Sequence, residues 1–248
     1  MHHTIAWRVS SADATAVDQT PVQDILMAIQ NGHFMPQQDY MIQYCYVGAA
    51  APNRARFITP SARQITTPWI RPINGAIVPG DEPNIADYRH NPFRIRGLEE
   101  LQLEAMQTSG GAAVIAATAG LSQGMIGPAP AGDVYSMRGT GATTLTAGGW
   151  TSTPITWQDT LPTGLYACVG LEYIGTTALA ARLIFEEQWA RPGCVGSGSV
   201  VNSGLEMFRK GGLGIWGRFN ANRMPSIECL ANAADTAEEI YLDFVRVG

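Results

Sequence analysis

Apolar and polar residues alternate along most of this chain, and the alternation has a period of two. Ile5, Trp7 and Val9 alternate with Thr4, Ala6 and Arg8, and Ile42, Tyr44 and Tyr46 keep the same rhythm. Leu101, Leu103 and Ala105 stand against Gln102, Glu104 and Met106, as Ile240, Leu242 and Phe244 do against Tyr241 and Asp243. Residues 165–174 form a long apolar run, followed by Leu179, Ala181, Leu183 and Phe185 against Arg182 and Glu186. Turn chemistry punctuates these segments: Pro79-Gly80-Asp81, Ser109-Gly110-Gly111, Gly175-Thr176-Thr177 and Arg191-Pro192-Gly193. Short strands at regular spacing, joined by such turns, predict an all-β antiparallel sandwich or barrel. A helical reading fails because 27 glycines and 15 prolines interrupt almost every window.

One segment carries a helix signal. Thr20-Pro21-Val22-Gln23 supplies an N-cap, a first-turn proline and a capping-box glutamine. Val22, Ile25, Leu26 and Ile29 follow at helical spacing, and Gly32 fits a C-terminal cap. The pattern predicts a short amphipathic helix over residues 21–30 that packs on a sheet.

Residues 120–132 are rich in Gly, Pro and Ala, carry no charge, and read as a linker. The expected division is an N-terminal β domain over 1–125 and a C-terminal one over 133–248. An internal echo crosses the linker at an offset of 68 residues. Leu103-Glu104, Thr108-Ser109 and Ala112-Ala113 match Leu171-Glu172, Thr176-Thr177 and Ala180-Ala181, which hints at a duplicated unit.

Composition narrows the function classes. Charged residues make up 15% of the chain, against about 25% in ordinary domains, so much of the surface is expected to be covered by copies of the same protein. The net charge of −5 is shared between the two halves, and neither end carries a basic tail for gripping nucleic acid. Fifteen arginines stand against a single lysine, Lys210. Arginine suits planar pairing at interfaces, although genome base composition produces the same bias. No apolar stretch reaches the roughly 18 residues of a membrane-spanning helix, and no signal peptide is legible.

The chemistry of catalysis is sparse. Cys45, Cys168, Cys194 and Cys229 lie far apart, without the spacing of a zinc site, and three of them sit in strand-like runs. The four histidines form no ligand cluster, since His2 and His3 are terminal and His33 and His90 stand alone in loop-like contexts, so no metal or other cofactor is expected. Residues 212–217 match GxGxxG, but no strand precedes them and no helix follows, as a dinucleotide site would require. Glu99-Glu100, Glu186-Glu187 and Glu238-Glu239 are adjacent pairs that strands would point to opposite faces. Trp150, Trp157, Trp189 and Trp216 read as core or interface anchors before they read as a substrate cleft. No enzymatic activity and no small-molecule substrate are expected. The residues singled out as candidate inter-subunit contacts are Arg54, Arg56, Arg63, Trp69 and Arg71, in a stretch from 49 to 79 without one acid. Their partners are solvent, distant acids of the same chain, or acids on another subunit.

Two segments carry a resemblance. Thr59-Pro60-Ser61-Ala62-Arg63-Gln64-Ile65 leads into Pro68-Trp69-Ile70-Arg71-Pro72-Ile73, and Leu230-Ala231-Asn232-Ala233-Ala234-Asp235-Thr236 leads into Ile240-Tyr241-Leu242-Asp243-Phe244. With the tandem β architecture, the chain resembles the compact double jelly-roll capsid proteins of tailless phages of corticovirus and finnlakevirus type. The resemblance implies two jelly-roll barrels in tandem; a single jelly roll with an N-terminal extension also fits the length. It implies a major capsid protein that self-assembles through trimeric capsomers into a virion shell, formed in the host cytoplasm. Other virion proteins, and lipid or genome on the inner face, are the further partners it implies. The alternatives are a jelly-roll receptor- or carbohydrate-binding module, such as a virion spike, and a β-sandwich glycan hydrolase.

Overall fold

The computed structural model describes residues 2–11, 17–18, 21–24, 27–28, 32–49, 53–59, 64–65, 67–70, 85–107, 113–141, 143–186, 188–197, 203–235 and 238–248. Eleven strands come from residues before 123: β1 (His2–Ser11), β2 (Val17–Asp18), β3 (Met27–Ala28), β4 (Gly32–Phe34), β5 (Tyr40–Ala49), β6 (Asn53–Thr59), β7 (Gln64–Ile65), β8 (Ile85–Asp87), β9 (Phe93–Ile95), β10 (Glu100–Gln107) and β11 (Ala113–Ser122). Nine follow: β12 (Tyr135–Gly141), β13 (Thr151–Thr153), β14 (Ile155–Trp157), β15 (Leu165–Ile174), β16 (Ala178–Ile184), β17 (Gly193–Val195), β18 (Gly217–Asn220), β19 (Ser226–Ala231) and β20 (Glu238–Arg246). A 3-10 turn at Ser203–Phe208 is the longest helical element among the described residues.

The strands form four sheets, and all pairings between the named strands are antiparallel. The first sheet runs β1-β11-β5-β8, with β9 also on β5, and the second runs β3-β4-β10-β6-β7, with β2 on β10. The third runs β14-β12-β20-β15-β18 and the fourth β13-β19-β16-β17. The first two sheets share one core. Ile5, Trp7, Cys45, Val47, Ala117 and Ala119 of the first meet Ala55, Phe57, Leu101 and Leu103 of the second. The last two share another, in which Met137, Leu171, Tyr173 and Leu242 meet Ala181, Leu183, Ile227 and Cys229. Each pair is therefore a sandwich, as the alternation predicts. A third, smaller cluster joins them: Ala6 of β1 and Ala116 of β11 pack on Leu179 and Ala180 of β16 and Leu230 of β19. Alanine at the contact lets two backbones approach closely.

Strand order repeats between the sandwiches. In each, the first long strand pairs with the last (β1 with β11, β12 with β20), and the last pairs in turn with the strand that carries the deepest core (β5, β15). In the opposing sheets, β4-β10-β6-β7 has the order of β13-β19-β16-β17.

Three sequence expectations need correction. The helix over 21–30 does not form. Pro21 makes an antiparallel bridge to Trp7, Val22 N–H donates to Ala6 O at 2.8 Å, and β3 turns back on β4; residues 25–26 and 29–30 lie outside the described residues. An isolated ten-residue helix is marginal, and here strand pairing with burial of Val22 outweighs the cap. Gly32 serves instead as a close contact, because a Cβ there would sit 2.4 Å from Leu101 O. The 68-residue echo relates β10–β11 to β15–β16, whereas by strand order β5 corresponds to β15 and β11 to β20. The echo matches two inter-sheet corners that are not equivalent. Third, His33 is not in a loop: it lies in β4, fully buried, with Trp7 edge-on at 4.8 Å.

Candidate functional site

The arginine face is built by β6. Along this strand Ala55 and Phe57 point into the first core, so Arg54 and Arg56 must point outward. Antiparallel register places Glu104 of β10 opposite Arg56 and Met106 opposite Arg54. Arg56 Nε accordingly pairs with Glu104, and Arg54 Nη2 lies 2.8 Å from Met106 Sδ. Trp69 arrives from residues 67–70, which continue the sheet: Ala55 and Ile70 exchange backbone hydrogen bonds at 2.9 and 2.7 Å, and Phe57 N–H donates to Thr67 Oγ1 at 2.9 Å. The indole then lies under both guanidinium groups, at 4.9 Å from Arg54 and 4.4 Å from Arg56. Three of the five singled-out residues thus come together as an Arg–Trp–Arg stack; Arg63 and Arg71 lie outside the described residues. For Arg56, the open question of partner is answered by a distant acid of its own chain, which a local charge count could not find. The pair is part-exposed and stabilises by about 0.2–1 kcal/mol; each cation–π contact adds about 0.5–1 kcal/mol.

The GxGxxG segment has a packing role. Gly214 adopts a positive φ of 68°, and a Cβ there would meet Gly127 O at 2.3 Å, so the glycine lets this loop pack closely on Ile126 and Gly127. The tryptophans form no common row: Trp150 lies under Arg182, Trp189 stacks on His3, and Trp216 is buried in the second core. All four cysteines are buried as thiols, outside any disulfide, and burial pushes those of Cys45, Cys168 and Cys194 up.

Sequence reasoning missed two features. The first is an ionic network between the sandwiches, in which Arg182 of β16 donates to Glu228 of β19 at 2.7 Å and pairs with Asp24, while His3 of β1 meets Asp24 at 3.1 Å. Only the polar Arg182 inside an apolar strand hinted at it. The second is a set of open clefts at one end of the second sandwich, formed by loops around Thr160–Leu165 and Asn220–Arg223. The most apolar has a volume of about 310 Å³ and is lined by Tyr135, Met137, Tyr166 and Phe244, with Asp159 and Arg246 at its rim. Among the described residues no three His, Cys, Asp or Glu side chains converge as a metal-binding group, and no helix is long and apolar enough to cross a membrane.

No known protein family matches the chain, and no curated protein matches it. Among solved structures it is similar to the major capsid protein P2 from bacteriophage PM2, at 8% identity, with 100% of this chain and 98% of that chain covered and a TM-score of 0.26.

Proposed function

We propose that the chain is a virion structural protein, a major capsid protein of two tandem jelly rolls over 1–125 and 133–248. The observation that carries the reading is the repeated strand order. Each half sets its first strand beside its last, places the deepest core strand next, and sets opposite them a sheet that contains four strands in matching order, β4-β10-β6-β7 and β13-β19-β16-β17. That order, twice in one chain, supports a jelly roll of two Greek keys in each half. Two barrels of like strand order held side by side give one subunit two lobes of similar outline, so three subunits make a pseudo-sixfold capsomer that tiles a shell. Low overall charge supports extensive burial between copies, each standard interface removing roughly 1,600 Å² from water. The Arg–Trp–Arg stack on the second sheet holds two guanidinium groups against an indole, planar surface of the kind favoured at subunit interfaces. Its partners are copies of itself, and its place is the virion. On this reading the chain performs no catalysis and holds no cofactor.

Electron microscopy of the purified protein, with light scattering of its soluble fraction, tests the proposal. Shells, tubes or trimers are the expected outcome. A strictly monomeric protein at high concentration, in the presence of precipitants and salts that promote assembly, would overturn it. Arg63→Ala with Arg71→Ala is expected to leave a soluble β-rich chain that fails to form particles.

A further inference from the structure

The junction between the sandwiches holds ionisable side chains from several separate stretches of chain. His3 on β1 is almost wholly buried, with its ring stacked on Trp189 at 5.5 Å. Its Nε2 lies 3.1 Å from Asp24 Oδ1, and its Nδ1 lies 3.3 Å from the backbone nitrogen of Arg191, just before β17. An amide N–H can only donate and a carboxylate can only accept, so Nδ1 carries the lone pair and Nε2 the hydrogen. Both ring nitrogens are committed, and the ring is neutral. Arg191 is held to β1 a second time, because Thr4 N–H donates to Arg191 O at 2.8 Å. Across the junction Arg182 pairs with Asp24 and Glu228, and Arg191 Nη1 stands 3.7 Å from Glu228. His33, bonded through Nε2 to Ala6 O at 3.1 Å, completes the group. Two acids face two arginines, and the charges balance only while the histidines stay neutral.

We propose that His3 is an acid-sensitive latch between the two sandwiches: a proton arriving at Nδ1 removes the acceptor of the Arg191 N–H and releases residues 188–192 from β1. The balance of forces follows from the neighbours. Burial, Arg182 and Arg191 oppose an imidazolium, whereas Asp24 favours it. Burial is the largest effect and holds His3 below the ordinary histidine range. The one position open to a new proton points at an amide hydrogen, so protonation and the intact contact exclude one another. For a shell subunit this would turn acidification into loosening between barrels while each barrel stays folded. The latch itself belongs to the single chain and does not depend on assembly.

Hydrogen exchange of the full chain, compared peptide by peptide at neutral pH and at a series of acidic pH values that spans the titration of His3, and corrected for intrinsic rates, tests the proposal. In acid the wild-type chain is expected to lose about tenfold or more of its protection at residues 2–8 and 188–196, while 165–174 and 238–246 keep theirs. His3→Gln, which retains a neutral donor toward Asp24 and cannot be protonated, is expected to show no pH-dependent loss at the junction. An equal loss in His3→Gln, or none in the wild type through the full titration of His3, would overturn it. Should His3→Gln not fold, ring-proton NMR of the wild type decides: the ring must gain its proton over the pH range in which the junction opens. A ring that titrates while the junction stays protected, or a junction that opens before the ring titrates, refutes the latch.

Discussion

The two sandwiches share a backbone irregularity and use it in opposite ways. In β5, Gln43 is an extra residue between Ile42, which pairs with Leu121, and Tyr44, which pairs with Gly120. In β15, Val169 is the extra residue between Cys168, which pairs with Phe244, and Gly170, which pairs with Asp243. The bulge shifts the alternation in both strands. In the first sandwich Tyr40 and Ile42 face the core, and beyond the bulge Cys45 and Val47 do, which turns Tyr44 and Tyr46 outward into the second sandwich. Tyr44 fills the space over Gly120, where a Cβ would lie 1.9 Å from its ring, and its hydroxyl donates to Gly193 O at 3.0 Å. In the second sandwich the large and small residues change places. Gly170 lies flat beneath the backbone of Phe208 and Arg209, and Asp243 rises beside it to accept from Arg209 Nε and Nη2 at 2.7 and 2.8 Å. One bulge docks a partner sandwich through an aromatic ring; the other anchors its own 3-10 turn through a buried ion pair. Equivalent backbone therefore does not imply equivalent faces, since what covers the sheet decides the side chains.

Acid should separate the halves most strongly, because all four histidines lie within the first 90 residues. Burial lowers both His2 and His33 from 6.5 to about 4. A base whose folded pKa is depressed binds more protons when unfolded. Its stabilisation is therefore complete above pH 6.5 and is lost as pH falls toward 4, by about 3 kcal/mol for each group. Urea unfolding at a series of pH values is expected to show this decline, with the strands of the first sandwich opening before β12–β20. Simultaneous opening would make the two sandwiches one cooperative unit.

Tyr44→Ala removes the ring that plugs the junction and is expected to cost about 3–5 kcal/mol in urea unfolding. Tyr44→Phe separates the hydroxyl from the ring and is expected to cost about 1 kcal/mol. Asp243→Ala leaves Arg209 with Glu172 and Ser136 alone, and the predicted loss is about 3 kcal/mol. A negligible change would mean that water replaces the carboxylate, and the bulge contrast would reduce to one of size. Smallest is Arg56→Ala, expected to shift stability by about 1 kcal/mol or less, read as a thermal midpoint close to that of the parent chain. A larger loss would give the Arg–Trp–Arg stack a folding role rather than a surface one.

The strands were legible wherever a period of two persisted. Ile5 and Trp7, Leu101 and Leu103, and Ile240 and Leu242 all enter the cores that their spacing implies. Ile42 and Tyr44 look like neighbours on one face yet enter different cores, because a one-residue bulge leaves no mark in a strand that is buried on both sides. The residues 21–30 misled for a related reason. Cap and spacing are local signals, while the bridge from Pro21 to Trp7 depends on a strand that only the folded sheet brings near.

What the sequence alone determined is the class of structure: alternation, turn residues and frequent Gly and Pro leave antiparallel sheets as the only way to satisfy the backbone and bury the apolar face. Which sheet faces water, which faces its twin and which acid meets Arg56 or Arg182 were decided by tertiary structure. Glu104 lies 48 residues from Arg56, and Asp24 lies 158 residues from Arg182. Pairing over such distances follows from strand register and from the stacking of whole sheets, whose free energy is spread over many residues and written in no single segment.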